Sequence, residues 1–197
     1  SISPLTSDKP QDFFTSPDWT QIDRLPETSI VYDRNGEILK RYGLEYREAI
    51  PLENMGRLLE CVIAAEDKSF WERKTPFSFK GIARAALNDL MEGNLNQGGS
   101  TISQQVARNL FLQKELRIQN IGRRWQDRVW RKLREAWVAI QVERKFSRRE
   151  ILELYLNTAY FGDGRSGIKA ASQYYFKKNP RELTIPEIAF LVGKLRS

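Results

Sequence analysis

The chain is 197 residues long, 29% charged and 41% hydrophobic, with a formal net charge of +7. That length and mix suit one folded domain burying roughly 70% of its unfolded surface, and they exclude wholesale disorder. With no histidine and a single cysteine, Cys61, the chain cannot build a Ser-His-Asp triad, a Cys-His pair, a His-containing zinc site, a thiolate cluster or an internal disulfide. Acid–base chemistry at neutral pH therefore falls to Asp, Glu, Lys or Tyr.

In chain order, residues 1–27 carry Pro4, Pro10, Pro17 and Pro26 among scattered Ser, Thr and Asp, and read as a linker or arm. Residues 28–50 form a lead-in. Within it, Ser29–Tyr32 and Glu37–Tyr42 flank Asp33-Arg34-Asn35-Gly36, a β-hairpin signal in which Asn-Gly supplies the positive φ angles. From Pro51 to the last residue the pattern is helical, and residues 51–197 are expected to form the main domain. Leu52, Met55, Leu59, Val62, Ile63 and Phe70 make a stripe at helical spacing. A second helix is expected over Gly81–Met91. A third opens at Ser100-Thr101, with Thr101 and Gln104 at capping-box spacing. A long basic helix is predicted over about 117–145, with Val129, Leu133, Ala136, Trp137 and Ile140 as its apolar side. Ser147 with Glu150, and Thr184 with Glu187, are capping boxes for the last helices. The expected fold class is mainly α, with a small N-terminal β-hairpin. No run approaches the roughly 18 apolar residues of a membrane span, and no signal peptide opens the chain.

The positive charge is local. Between Arg117 and Arg149 eleven basic residues face only Asp127, Glu135 and Glu143, so this stretch outweighs the net charge of the whole chain. Such a stripe draws polyanions: nucleic acid, anionic headgroups or a diphosphate. It is equally the pattern of a solvated helix face with weak i,i+4 pairs. Trp125, Trp130 and Trp137 in the same stretch fit a lipid–water interface or an ordinary core stripe.

Three places could carry chemistry. Glu66 falls within the apolar stripe of its own helix, where a carboxylate is costly unless it is paired or faces a cleft; alternatively the stripe ends there and Glu66 is exposed. Glu135 lies opposite the predicted apolar side of the long helix, one turn after Arg131. It is either half of a surface ion pair or a carboxylate in a basic groove, binding a divalent ion or steadying cations around a diphosphate. The phrase Gln97-Gly98-Gly99-Ser100-Thr101-Ile102-Ser103-Gln104-Gln105 puts paired glycines before a capped helix. There backbone can approach a ligand closely and free N–H groups attract anions, while Gln104, Gln105 and Arg108 offer donors within about one turn.

These phrases resemble the successive motifs of a known family. Glu66-Asp67-Lys68-Ser69-Phe70-Trp71, Gly98–Gln105, Arg131-Lys132-Leu133-Arg134-Glu135 and Ile151–Asn157 occur in the order found in peptidoglycan glycosyltransferases. That domain occurs in class A penicillin-binding proteins and monofunctional transglycosylases. Tyr160, Gly162, Gly167-Ile168, Ala170-Ala171 and Tyr175-Phe176 continue the match, so the resemblance runs from about Thr28 to the end. It implies a lysozyme-like helical fold that polymerises lipid II on the outer face of the bacterial cytoplasmic membrane. Glu66 would be the base on the 4-hydroxyl of the acceptor sugar, and the prenyl-diphosphate-linked strand would be attacked at its anomeric carbon with inversion. Glu135, Arg131, Lys132 and Arg108 would steady the leaving diphosphate, with Mg2+ or Mn2+ as the implied cofactor and Glu135 its candidate ligand. Asp67, Lys68, Phe70, Gly99, Ser100, Thr101, Gln104, Gln105, Asn109, Asn157 and Tyr160 are carried over as substrate-binding positions.

The resemblance also implies a membrane-touching segment including Trp71, Phe77, Phe79, Leu87, Leu90 and Met91; helical core packing would equally account for the last three. The first residue, Ser1, and the end at Lys194–Ser197 suggest a domain cut from a longer chain, with an anchoring helix upstream and room for a transpeptidase domain downstream. Where the family shows His-x-Gly-x-Asp after Phe70-Trp71, this chain has Glu72-Arg73-Lys74-Thr75-Pro76-Phe77-Ser78; Ser69 stands where arginine is common, and 109–131 is longer by about three helical turns. Two rival functions remain. One is a lysozyme-like hydrolase or lytic enzyme, which needs no diphosphate site. The other is a nucleic-acid-binding module on the basic stripe, which leaves the first two motifs unexplained, so no nucleic-acid partner is expected.

Overall fold

The computed structural model describes residues 15–23, 29–35, 38–42, 48–74, 100–112 and 125–195, with the backbone alone at 29–32, 38–42 and 125–130. The helix expected over Gly81–Met91, the Gly98-Gly99 turn, residues 117–124 of the basic helix, and Phe77, Phe79, Leu87, Leu90 and Met91 lie outside the described residues.

A short helix, α1 (Thr20–Asp23), precedes two strands, β1 (Ser29–Tyr32) and β2 (Ile38–Tyr42). The strands pair antiparallel from Ser29 opposite Tyr42 to Tyr32 opposite Ile38, with a register shift between Val31 and Tyr32. Gly36, half of the predicted Asn-Gly turn, is outside the described residues; the Asp33 carboxylate accepts the Asn35 N–H at 2.8 Å at the start of that turn. A 3-10 turn (Leu52–Met55) leads to α2 (Leu58–Glu66), whose Leu58, Val62 and Ile63 face the core. Next come α3 (Ile102–Val106), running on as a π-helical turn over Ala107–Leu112, then α4 (Trp125–Lys145), α5 (Arg148–Thr158), α6 (Ile168–Phe176) and α7 (Ile185–Lys194). Helices dominate the described residues, and among them no helix is long and apolar enough to cross a membrane.

The capping boxes read from the sequence close as expected. Thr101 Oγ1 accepts the Gln104 N–H at 3.2 Å while Gln104 Oε1 accepts the Thr101 N–H at 2.9 Å. Glu150 accepts the Ser147 N–H at 2.7 Å, and Glu187 accepts the Thr184 N–H at 2.7 Å. Each satisfies donors that the first helical turn would otherwise leave without partners.

Helix α3 is the axis of the domain. All five of its residues are buried, and it packs against both α4 and α5. A helix covered all round is normally apolar; here Ser103, Gln104 and Gln105 are polar and must each find an internal partner. The long helix packs on α3 through a face different from the predicted one. Glu135, Val138, Ala139 and Val142, at i, i+3, i+4 and i+7, are buried; of the predicted side Ala136 is buried too, whereas Leu133 is 41% exposed and Trp137 and Ile140 are half-buried. The buried stripe is displaced because it faces the polar α3, so Glu135 takes a place that hydrophobicity alone would give to Leu133. Part of the proline-bearing arm is docked on the domain: Trp19 sits edge-on between Phe111 and Phe146, under the Lys145 ammonium, and Arg134 donates to the Thr15 carbonyl at 2.9 Å.

Candidate active site

Glu66 is the last residue of α2 and is half-buried. Gln105 Nε2 donates to its Oε2 at 3.1 Å, and Gln105 Oε1 accepts the Tyr155 hydroxyl at 3.2 Å. The carboxylate settles which way the amide points: Glu66 can only accept, so the NH2 turns to it and the amide oxygen is left to accept from Tyr155. Tyr155 is 1% exposed and lies on α5. The phrase Ile151–Asn157 contains it, but nothing in the spacing from 105 to 155 signals the contact, and the sequence alone does not place it in the site.

On the other side of the same helix start, Lys132 Nζ donates to Ser100 Oγ at 2.9 Å and to Glu135 Oε2 at 2.7 Å, while Arg131 reaches Glu135 Oε1 at 3.5 Å. Glu135 is fully buried, its side chain 1% exposed, with Lys132 and Arg131 about one-fifth exposed. The surface-pair reading of Glu135 is thereby overturned: a buried carboxylate holds two cations that keep an edge toward solvent. Through Ser100 and Gln105, α3 connects the two halves. At a rise of about 1.5 Å per residue, Thr101 and Gln105 are about 6 Å apart along the axis. A hydrogen-bonded carboxylate thus borders one end of that turn, and a Lys/Arg pair held by a second carboxylate borders the other.

Several expected binding residues have other duties. Phe70 is wholly buried, under the Arg148 guanidinium and edge-on to Trp71, so its ring serves the core. Gln104 is buried and gives its amide oxygen to the cap of α3, and Thr101, 2% exposed, is its partner there. The Asp67 carboxylate is turned inward onto Arg73 and the Ile102 N–H. Asn157 clamps Ile50 by both backbone groups, its Oδ1 accepting at 3.1 Å and its Nδ2 donating at 2.9 Å, which fastens the lead-in to α5. In the last three cases a polar side chain bonds a backbone group: Gln104 that of Thr101, Asp67 that of Ile102 and Asn157 those of Ile50. Lys68 is exposed, and Arg108 and Asn109 are half-buried on the π-helical turn, a deformation common beside functional sites. Gly99 lies outside the described residues.

Tyr160 is 54% exposed, its phenol oxygen accepting the Gly164 N–H at 3.1 Å. Its loop is held from beneath by Tyr175, whose O–H donates to the Phe161 carbonyl at 3.0 Å and to Asp163 at 2.8 Å. Burial first, then the Asp163 bond, push the Tyr175 phenol up to about 12, so it remains a donor at any working pH.

Among the described residues no three His, Cys, Asp or Glu side chains gather as a metal cage. Glu135 alone offers one carboxylate, each of whose oxygens already faces a cation. That donor set suits only a hard ion bringing most of its own ligands, as Mg2+ does with water and substrate phosphate.

A profile described as Transglycosylase matches residues 35–197, most of the chain. The chain belongs to the transglycosylase family. Penicillin-binding protein 1A of Vibrio cholerae is 41% identical over 164 residues, covering 83% of this chain and 18% of that protein. Penicillin-binding protein 1A of Aquifex aeolicus is 37% identical over 171 residues, 85% of this chain and 22% of that one. Penicillin-binding protein 2D of Bacillus subtilis is 40% identical over 174 residues, with 86% and 23% covered. This transglycosylase domain thus spans about a fifth of the length of these curated relatives.

Proposed function

We propose that this transglycosylase domain polymerises lipid II into β-1,4 glycan strands by an inverting displacement, on a lysozyme-like scaffold. Glu66 takes the proton from the 4-hydroxyl of the acceptor sugar; that oxygen bonds to the anomeric carbon of the growing strand as the carbon–oxygen bond to the prenyl diphosphate breaks. The diphosphate leaves with the bonding pair, and Lys132, Arg131 and Arg108 meet its charge. Such a displacement needs one base, no enzyme nucleophile and positive charge at the leaving group. The observation that carries the reading is the division of labour around α3: Glu66 under the Gln105 amide on one side, Lys132 and Arg131 around buried Glu135 on the other. A glycan hydrolase has no need of the cationic half, and nothing in the relatives' names favours a lytic enzyme.

Mg2+ or Mn2+ would be held by Glu135 together with diphosphate oxygens and would supply further charge neutralisation of the leaving group. The whole protein is read as a membrane-anchored enzyme working on the outer face of the bacterial cytoplasmic membrane. Its relatives' names, penicillin-binding proteins, support a transpeptidase domain beside this one.

The test is incubation with lipid II and a divalent metal, comparing wild type with Glu66→Gln. Wild type should yield glycan polymer and the variant at least about a hundredfold less, the usual scale for losing a general base. Cleavage of preformed glycan without polymer would replace this reading with the hydrolase.

A further inference from the structure

Beneath Glu66 lies a buried cluster of charges that the transfer step does not use. Asp67 follows Glu66 directly; its backbone N–H closes α2 onto Ile63, and its carboxylate accepts the Ile102 N–H at 3.1 Å and Arg73 Nη1 at 2.6 Å. The Arg73 and Asp67 side chains are only 8% and 6% exposed. Arg73 Nη2 also reaches Glu143 at 3.4 Å on α4, and Glu143 accepts the Ser103 hydroxyl at 2.5 Å. From α5, Arg148 pairs with Glu143 at 3.5 Å and donates to the carbonyls of Phe70 and Arg73. Among the described residues, the charged groups facing Arg73 include Asp67 from the end of α2, Glu143 from α4 and Arg148 from α5.

We propose that Arg73 is a positioning residue for glycosyl transfer: by pairing with Asp67 it locks the Glu66-Asp67 step onto helix α3 and so fixes Glu66 against Gln105. Ile102 and Gln105 stand three residues apart on one helix, and Asp67 and Glu66 are neighbours in the chain. The Asp67–Ile102 and Glu66–Gln105 hydrogen bonds are therefore adjacent rungs between the same two elements. An Asp67 carboxylate without its cation would be buried and uncompensated, and would turn toward water, pulling its rung apart. Guanidinium is suited to this because it stays charged at every working pH and has two nitrogens to share: Nη1 meets both Asp67 oxygens at 2.6 Å each while Nη2 reaches Glu143. The inference rests on Glu66 being the base of the proposed transfer.

The experiment measures kcat and KM with lipid II across pH for wild type, Arg73→Lys, Arg73→His and Arg73→Met, each first shown by circular dichroism to melt above the assay temperature. Arg73→Met should lose about tenfold or more in kcat with KM within about twofold, since the base is misplaced while substrate contacts remain. Arg73→Lys should recover to within about threefold of wild type, because the charge returns although the second nitrogen that reaches Glu143 does not. Arg73→His should match the lysine variant near pH 6, where imidazolium pairs with Asp67, and fall to the methionine variant by about pH 8.5 as that charge is lost. If Arg73→Met does not fold, the pH-dependence of the histidine variant relative to wild type carries the test. A wild-type kcat for Arg73→Met, or an Arg73→His to wild-type ratio flat across pH, would overturn the positioning role alone. Absence of polymer from wild type overturns the functional reading, and this inference with it.

Discussion

Tyr155 is linked to Glu66 through Gln105: the phenol donates at 3.2 Å to one end of the Gln105 amide, and the other end donates at 3.1 Å to the Glu66 carboxylate. The relay fixes the amide's orientation, and with it the face of the carboxylate left for a substrate hydroxyl. Tyr155→Phe should therefore reduce turnover by about tenfold while costing only about 1 kcal/mol of stability, the ordinary worth of one hydrogen bond. Gln105→Leu, which removes the donor itself, should cost at least as much turnover. Lipid II polymerisation beside a urea titration separates the two effects; equal turnover in Tyr155→Phe would leave the tyrosine with packing alone.

Glu135 should behave as the keystone of the cationic half. Glu135→Gln leaves Lys132 and Arg131 facing each other without a full counter-charge. With both cations about one-fifth exposed, the expected loss is about 1–3 kcal/mol, below that of a fully buried pair. Turnover should fall by at least about tenfold, as leaving-group stabilisation is lost. The Lys132→Met, Glu135→Met double variant should regain stability and remain inactive. Recovery of both together would make the pair structural.

Gly167 is fixed by both conformation and space. Its φ is +86°, and a Cβ there would lie 2.8 Å from the Asn157 carbonyl oxygen. Gly167→Ala should cost about 2 kcal/mol or more, since the strained φ and the backbone clash act together. In a domain of this size that lowers the melting temperature by about 4–8 °C. Asn157 lies two residues from Tyr155 on α5 and clamps Ile50, so the shift should also loosen the lead-in. Faster amide exchange at Ile50 would report it.

Acid sensitivity should trace in part to the last helix. Glu187 accepts a hydrogen bond from Lys178 at 2.7 Å and closes the Thr184 cap; the Lys178 bond first, then the Thr184 backbone, hold its carboxyl down at about 2. A carboxyl held lower in the folded state than in the unfolded chain adds stability that is complete above the unfolded value, about 4.3, and fades as pH falls toward 2. Glu187→Gln should flatten the melting temperature between about pH 5 and pH 2 relative to wild type. Parallel curves for the two proteins would remove Glu187 from the acid transition.

The amino-acid sequence determined whatever depends on neighbours along the chain. The three capping boxes at Thr101, Ser147 and Thr184 were legible because each is a donor and acceptor three residues apart. The ordered phrases around Glu66, Ser100, Glu135 and Asn157 identified the family, and the missing histidine confined the chemistry to carboxylates, lysine and tyrosine. The tertiary structure decided what each of those side chains faces. Phe70, Asp67 and Asn157 went to core, ion pair and clamp, the Ile102 N–H and the Ile50 backbone reaching Asp67 and Asn157 from distant segments, while the Gln104 cap was already legible from its spacing. Glu135 moved from the supposed outer side of α4 to its buried stripe, since a helix packs by its partner's chemistry as well as its own apolar period, and α3 offered a polar partner. Tyr155, Arg73 and Glu143 gained their places only when α2, α3, α4 and α5 met around one short buried helix, a meeting of residues up to 89 positions apart (Glu66 to Tyr155) that no local spacing encodes.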